Sequence, residues 1–184
     1  MSTQADQLLA LIAADHWRMT CLQAVAALGL PDGWISAGFV RAALWDHLHG
    51  HATPMPLNDI DVIYFEPDDL DPATDVVLEA RLSERLPGPP WQVRNQARMH
   101  LRNGDAPYRS IEDALCHWLE TPTAVAARLG DHGMLELLAP LGLDDLFTMT
   151  VRPTPHARAR RLADYRARQA EKDWTARWPK VRVL

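Results

Sequence analysis

An α+β (mixed α/β) fold is what this sequence predicts, and three observations carry the prediction. Over roughly the first hundred residues, short runs of β-branched and aromatic residues alternate with longer segments of helical apolar spacing. Past Thr121, two apolar runs follow one another across a glycine-containing turn, the mark of a strand pair. The composition, 47% hydrophobic and 23% charged over 184 residues, suits one domain with a proper core. A central mixed sheet flanked by helices, with helical N- and C-terminal segments, satisfies all three.

Taken in order, Leu8, Leu9, Ile12, Leu22, Val25 and Leu28 place two helices between Ala5 and Leu28. The stretch GLPDG, Gly29 to Gly33, ends them with a turn. Trp34–Ala37 reads as a short strand and Phe39–His49 as a helix with Val40, Leu44 and Leu48 inward. After a proline-rich loop, Asp59–Phe65 is the second strand. Asp75–Leu86 is a helix resting on Val76, Leu78 and Leu82. A strand near Trp91–Val93 follows, extended by NQARMHLRN (Asn95 to Asn103). Ser110 caps a helix through Trp118, with Asp113 in its first turn. Thr123–Leu129 and Met134–Pro140 form a hairpin turned at GDHG, and Gly142–Met149 is a short helix. Thr154-Pro155 opens one last helix, with threonine as N-cap and proline at the first helical position. Residues 1–150 then make one domain, and 151–184 a basic helix and tail packed on it through Trp174 and Trp178.

Several classes of function are excluded at this level. The N-terminus has no basic run, and Asp15 interrupts its best apolar stretch, so neither a signal peptide nor a membrane span is expected. Cys21 and Cys116 lack metal-binding spacing and read as thiols of a reducing, cytoplasmic compartment. The eight histidines show no zinc-protease spacing. Charge is more telling. From Val151 to Leu184 ten Lys/Arg face three Asp/Glu, a local +7, while residues 1–150 hold nine basic and twenty-one acidic residues. On one continuous last helix, Arg158, Arg161, Tyr165, Arg168 and Lys172 would share a stripe about 80° wide, suited to RNA or nucleotide phosphate, or simply solvated.

The chemistry concentrates between Ser36 and Asp61. In NDIDVIYFE, Asp59 and Asp61 leave the same face of a strand, two like charges about 6–7 Å apart. Such a pair raises its own pKa and is a natural seat for a divalent cation. Upstream, a strand ending at Ser36 delivers the chain to Gly38, where a helix N-terminus offers free N–H groups to an anion. Arg41 in the first turn could fork onto phosphate oxygens, or pair with Asp46 on its own helix. Asn95, Gln96, Arg98 and His100 form either a polar wall for a bound base or a satisfied network behind the sheet.

The segment GFVRAALWDHLHG…NDIDVIY resembles the nucleotidyltransferase superfamily, the polymerase-β-like fold. The Val-Arg pair and the Leu-x-Gly helix end are similar to the tRNA-terminus-adding and poly(A)-polymerase branch. The stretches VRNQARMH, ETPTAVAARL and GLDDLF resemble a bacterial group of nucleotidyltransferase-like proteins over roughly residues 20–156. The resemblance implies a metal-dependent transfer of a nucleoside monophosphate from an NTP, with RNA or protein as acceptor. Asp59 and Asp61 would hold Mg²⁺ (or Mn²⁺) as catalytic residues; Ser36, Gly38, Arg41, Asn95 and His100 would bind the nucleotide. Two departures stand out. Phe39 occupies the superfamily's second small position, and no Asp or Glu occurs between Glu84 and Asp105, where a third carboxylate is expected. The alternatives are a degenerate nucleotide-binding module that has lost turnover, or an RNA-associated interaction protein working through the basic last helix.

Overall fold

The computed structural model describes residues 2–184. The helices α1 (Gln4–Ala13) and α2 (His16–Ala26) come first, capped by Thr3 and Asp15, whose side chains accept from Asp6 N and Arg18 N. Strand β1 (Trp34–Ser36) leads into α3 (Gly38–His49), which ends at Gly50 in the left-handed region, φ 69°. Strand β2 (Ile60–Tyr64), helix α4 (Pro72–Arg85) and strand β3 (Trp91–Asn95) follow. A 3-10 turn over Gln96–Arg98 passes into α5 (Met99–Asn103), and α6 (Ile111–Cys116) precedes the hairpin β4 (Ala126–Leu129) and β5 (Leu135–Leu138). The remainder is α7 (Asp144–Phe147), β6 (Thr150–Val151), α8 (Pro155–Arg160), α9 (Leu162–Glu171), α10 (Trp174–Arg177) and β7 (Arg182–Val183).

The main sheet is five-stranded and mixed, in the order β3-β2-β1-β4-β5. Only β2 and β3 run parallel, joined by α4 as a crossover; the other neighbours are antiparallel. β1 is therefore central. Its three residues are buried, and it aligns Trp34 with Ile63 and Ile35 with Val62. The main core is built from α1, α2, α3 and the sheet, with Leu8, Ile12, Ile35, Val40, Trp45 and Val62 all buried.

Three expectations are corrected. NQARMHLRN does not extend the sheet: Asn95 closes β3, and its side chain accepts from Ala97 N and starts the 3-10 turn. Val76 is 66% exposed, so α4 rests on Leu82 and on buried Asp75. The last helix is not continuous. It breaks at Arg161 (φ −134°, ψ 33°) and ends at Lys172, before the separate α10. The stripe drawn on a single helix accordingly dissolves. Tyr165 turns inward, its hydroxyl donating to Val151 O and Leu184 O at 3.2 and 2.8 Å.

The C-terminal segment shares the main core. Tyr165, Trp174, Trp178 and Val181 are buried in it, and β7 pairs in parallel with β6. Trp174 and Trp178 pack edge-on against Trp45 of α3, with centroids 5.7 and 5.3 Å away. The Trp178 indole donates to Asp46 Oδ1 at 2.7 Å.

Candidate functional site

The site is built where β1 hands the chain to α3. Ala37 makes that turn at φ 52°, ψ −117°, a conformation costly for a residue with a Cβ, and its N–H donates to Val125 O. No side chain caps the start of α3, so the first N–H groups of a 12-residue helix are left for another partner. The strained residue is thus Ala37, one position before the glycine at which the sequence places the helix start. A Cβ at Gly38 would meet Arg41 Nη2 at 3.5 Å, an ordinary contact.

Beside this helix start run the two aspartates. Asp59 immediately precedes β2 and Asp61 is its second residue; Ser36 Oγ donates to the Asp61 carbonyl at 3.1 Å, locking the end of β1 to β2. Burial, and then the neighbouring Asp59, push the Asp61 carboxyl up to about 6 from 3.8; Arg168, Arg41 and Lys172 act in the opposite direction. Two carboxylates that resist being ionised together are a fitting donor set for a hard divalent cation.

Arg41 is 8% exposed and does not pair with Asp46, whose oxygens are taken by His51, Met55 N and Trp178. Its guanidinium lies 5.3, 4.5 and 5.9 Å from the ring centroids of Trp45, Trp174 and Trp178. Burial pulls its pKa down to about 10, Glu120 and Asp61 pull upward, and the group stays cationic at neutral pH. Among the described residues its Nε has no hydrogen-bond partner. A buried charge with an open donor beside an uncapped helix start is suited to an anionic ligand.

Asp61 and Ala37, at the turn into α3, line a cleft of about 280 Å³ with Gln96, Glu120, Arg161 and Arg168, among others. Asp59 and Arg41 are not on that lining but lie near enough to act on the Asp61 carboxyl. Glu120 joins this lining from just ahead of the 3-10 turn Thr121–Thr123. It is 1% exposed and accepts from Arg168 Nε at 2.6 Å, Gln169 Nε2 at 2.9 Å and Thr123 Oγ1 at 3.0 Å. It thus brings a third carboxylate to the cleft from outside the sheet. On β3, the partner of Asp61 is Gln92. The only sequence signal was a Glu between turn formers, ETPT, which carries no indication of depth.

Phe39 does not obstruct the cleft. Its ring is fully buried among core residues, near Trp17 and the Arg18 guanidinium. Asn95 and His100 are not brought into the cleft. The Asn95 amide donates to Glu66 O and Asp69 O and accepts from Glu66 N and Ala97 N, which uses both donors and the carbonyl. Buried His100 holds Ala97 O through Nδ1 at 2.8 Å. A larger cleft of about 340 Å³ lies between α1, α2 and α3. Its Arg18 bonds to Asp15, and its Asp46 is engaged by His51, Met55 N and the Trp178 indole, so both groups already have partners.

Comparison with known proteins identifies the family and the fold. A family model described as nucleotidyltransferase matches residues 23–183. A search of curated proteins returns no match. Among solved structures, an NMR structure described as revealing a CCA-adding enzyme head domain is 33% identical with TM-score 0.88, covering 100% of this chain and 97% of its own. A Thermotoga maritima CCA-adding enzyme complexed with tRNA is 16% identical with TM-score 0.58, and a CCA-adding enzyme complexed with CTP is 14% identical with TM-score 0.62. This chain covers 99% of itself in both but only 42% and 43% of those enzymes, whose likeness is one of fold.

Proposed function

This chain belongs to the nucleotidyltransferase family, and on that premise we propose that it moves a nucleoside monophosphate from an NTP to an RNA acceptor with a divalent cation held at Asp59 and Asp61. The observation that carries the reading is the placement of Asp61, neighboured by Asp59, beside the end of β1 and the uncapped start of α3, with the open donor of Arg41 close enough to act on its carboxyl. Support for CTP-like substrates and a tRNA-like acceptor comes from the fold shared with enzymes solved with those ligands.

In this reading each group has one task. The helix start and Arg41 receive phosphate oxygens, and the aromatic rings around Arg41 hold its guanidinium in place. Arg161 and Arg168 line the cleft and offset the charge of a leaving pyrophosphate. An acceptor hydroxyl attacks the α-phosphorus, a new P–O bond forms, the bond to the α,β-bridging oxygen breaks to release pyrophosphate, and the hydroxyl proton passes to solvent. The cation supplies charge neutralisation and activation of the attacking oxygen. Asp59 and Asp61 fix where that charge sits.

Calorimetry with each NTP and Mg²⁺, run beside pyrophosphate release with cellular RNA, tests this. Expected are a Kd in the micromolar to millimolar range, roughly −8 to −4 kcal/mol, a loss of about 1–3 kcal/mol in Arg41→Ala, and no release in Asp61→Asn. Absence of binding by every NTP would overturn the reading. Binding without turnover would favour a nucleotide-binding module, consistent with Gln92 standing opposite Asp61 and Glu120 being tied to Arg168.

A further inference from the structure

We propose that Asp105, His117 and His156 form a second cation site, for a first-row transition metal such as Zn²⁺, separate from the Asp59–Asp61 pair. The three residues come from different places: the loop after α5, the C-cap of α6 and the second position of α8. One ligand atom from each lies within 4.8 Å of the other two. An ion among points so spaced sits within about 2.8 Å of all three, against roughly 2.0–2.2 Å for zinc bonds, so sub-ångström side-chain adjustment closes the site.

The hydrogen bonding around the cluster presets its ligands. His117 Nδ1 lies 2.8 Å from Asp113 O, a contact that requires the proton on Nδ1 and leaves the Nε2 lone pair free. Asp105 is 4% exposed at its side chain, and its Oδ2 accepts from the Tyr108 hydroxyl at 2.7 Å, which orients the carboxylate. His156 Nε2 stands 3.0 Å from Asp105 Oδ1. That contact lacks hydrogen-bond geometry, and among the described residues the buried nitrogen has no partner. A buried imidazole nitrogen that close to a carboxylate oxygen, with no hydrogen bond between them, is satisfied by a cation taking both as ligands.

The donor set decides the metal class. Two imidazoles and one carboxylate suit zinc, cobalt or nickel, whereas magnesium prefers oxygen alone. Three protein ligands leave a fourth position for water. Such an ion would pin α8 to the α6 end and the loop after α5. His117 also lines the nucleotide cleft, so the pin lies at the cleft's edge.

The probe is Co²⁺ added to the metal-free full chain, followed by visible absorption and calorimetry. Expected are one equivalent bound with intense d–d bands of low coordination number, displacement by Zn²⁺, and a rise in melting temperature. His156→Gln and Asp105→Asn should each weaken binding at least tenfold, whereas Asp61→Asn should leave it unchanged. In case either variant fails to fold, histidine side-chain nitrogen resonances of the parent are followed during Zn²⁺ titration. Movement of His117 Nε2 and a His156 nitrogen supports the site. Unmoved histidines at saturating zinc, Co²⁺ binding unaffected in a folded His156→Gln, or loss of binding in Asp61→Asn would each overturn it. None of these outcomes involves an NTP, so failure here and failure of the transferase reading are distinguishable.

Discussion

Asp61 binds its proton more tightly in the folded chain than in the unfolded one, because its carboxyl rises from 3.8 to about 6 on folding. Between those values the native state holds the extra proton, so this group's contribution to stability falls as pH rises and is fully unfavourable above about 6. Removing the charge should reverse that. In metal-free buffer at pH 7.5, Asp61→Asn is expected to be more stable than the parent by about 1–2 kcal/mol, a shift of two pKa units reduced for partial exposure. The gap should close below pH 4. Urea denaturation at the two pH values, with chelator, measures it; a gap that does not change with pH would show that Asp61 carries no such penalty. Much of this residue-level picture was legible in the sequence, because a two-residue spacing on a strand fixes a shared face. The depth of Arg41 was not. A first-turn arginine reads as a surface group until Trp174 and Trp178, more than a hundred residues on, are placed over it.

At the level of elements, the junction between β1 and α3 is the most revealing. The sequence offers a glycine at position 38, and a helix start there was expected on that ground. In the fold it is Ala37 that holds φ 52° and ψ −117°. A glycine at 37 removes the Cβ clash while adding unfolded-state freedom, and strain costs of order 1–3 kcal/mol exceed that entropy. Ala37→Gly should therefore raise stability by about 0.5–2 kcal/mol, read from the denaturation midpoint. A lower midpoint would mean that Ala37 is not strained. The break at Arg161 belongs to the same scale. Helical periodicity from Thr154 onward continues across it without interruption, yet beyond the break Tyr165 faces inward, bonded to Val151 O and Leu184 O. One apparent basic stripe thereby becomes two short helices that deliver Arg161 and Arg168 to the cleft.

For the whole molecule, the C-terminal segment is the part whose removal should matter most. It contributes Trp174 and Trp178 to the main core, the second strand of the small sheet, and Lys180 Nζ, which donates to Leu48 O at 2.7 Å. It also encloses Arg41. A chain ending at Lys172 is expected to lose at least about 3 kcal/mol of stability, from the burial of two large aromatics alone. It should also lose NTP binding, since Arg41 would no longer be held. Urea melts and calorimetry on the shortened chain check both; an unchanged midpoint would show that the segment is an appendage. The boundary near residue 150 marks a change of charge, and the core runs across it.

What the sequence by itself determined was whatever depends on short-range periodicity. It set the mixed α+β class, the strand–helix–strand unit around Asp59 and Asp61, the β4–β5 hairpin turned at GDHG, and the helix caps at Ser110 and Thr154. Only the tertiary structure decided which distant groups share a site. Glu120 and Arg168 are 48 residues apart and meet at 2.6 Å, while Asp105, His117 and His156 converge from three segments. Local spacing constrains neighbours along one helix or strand, because 3.6- and 2-residue periods fix which side chains share a face. It places no constraint on how the segments pack. That is set by burial of the tryptophans and the sheet core, and it is what brings Asp61, Glu120 and the C-terminal arginines Arg161 and Arg168 into one cleft.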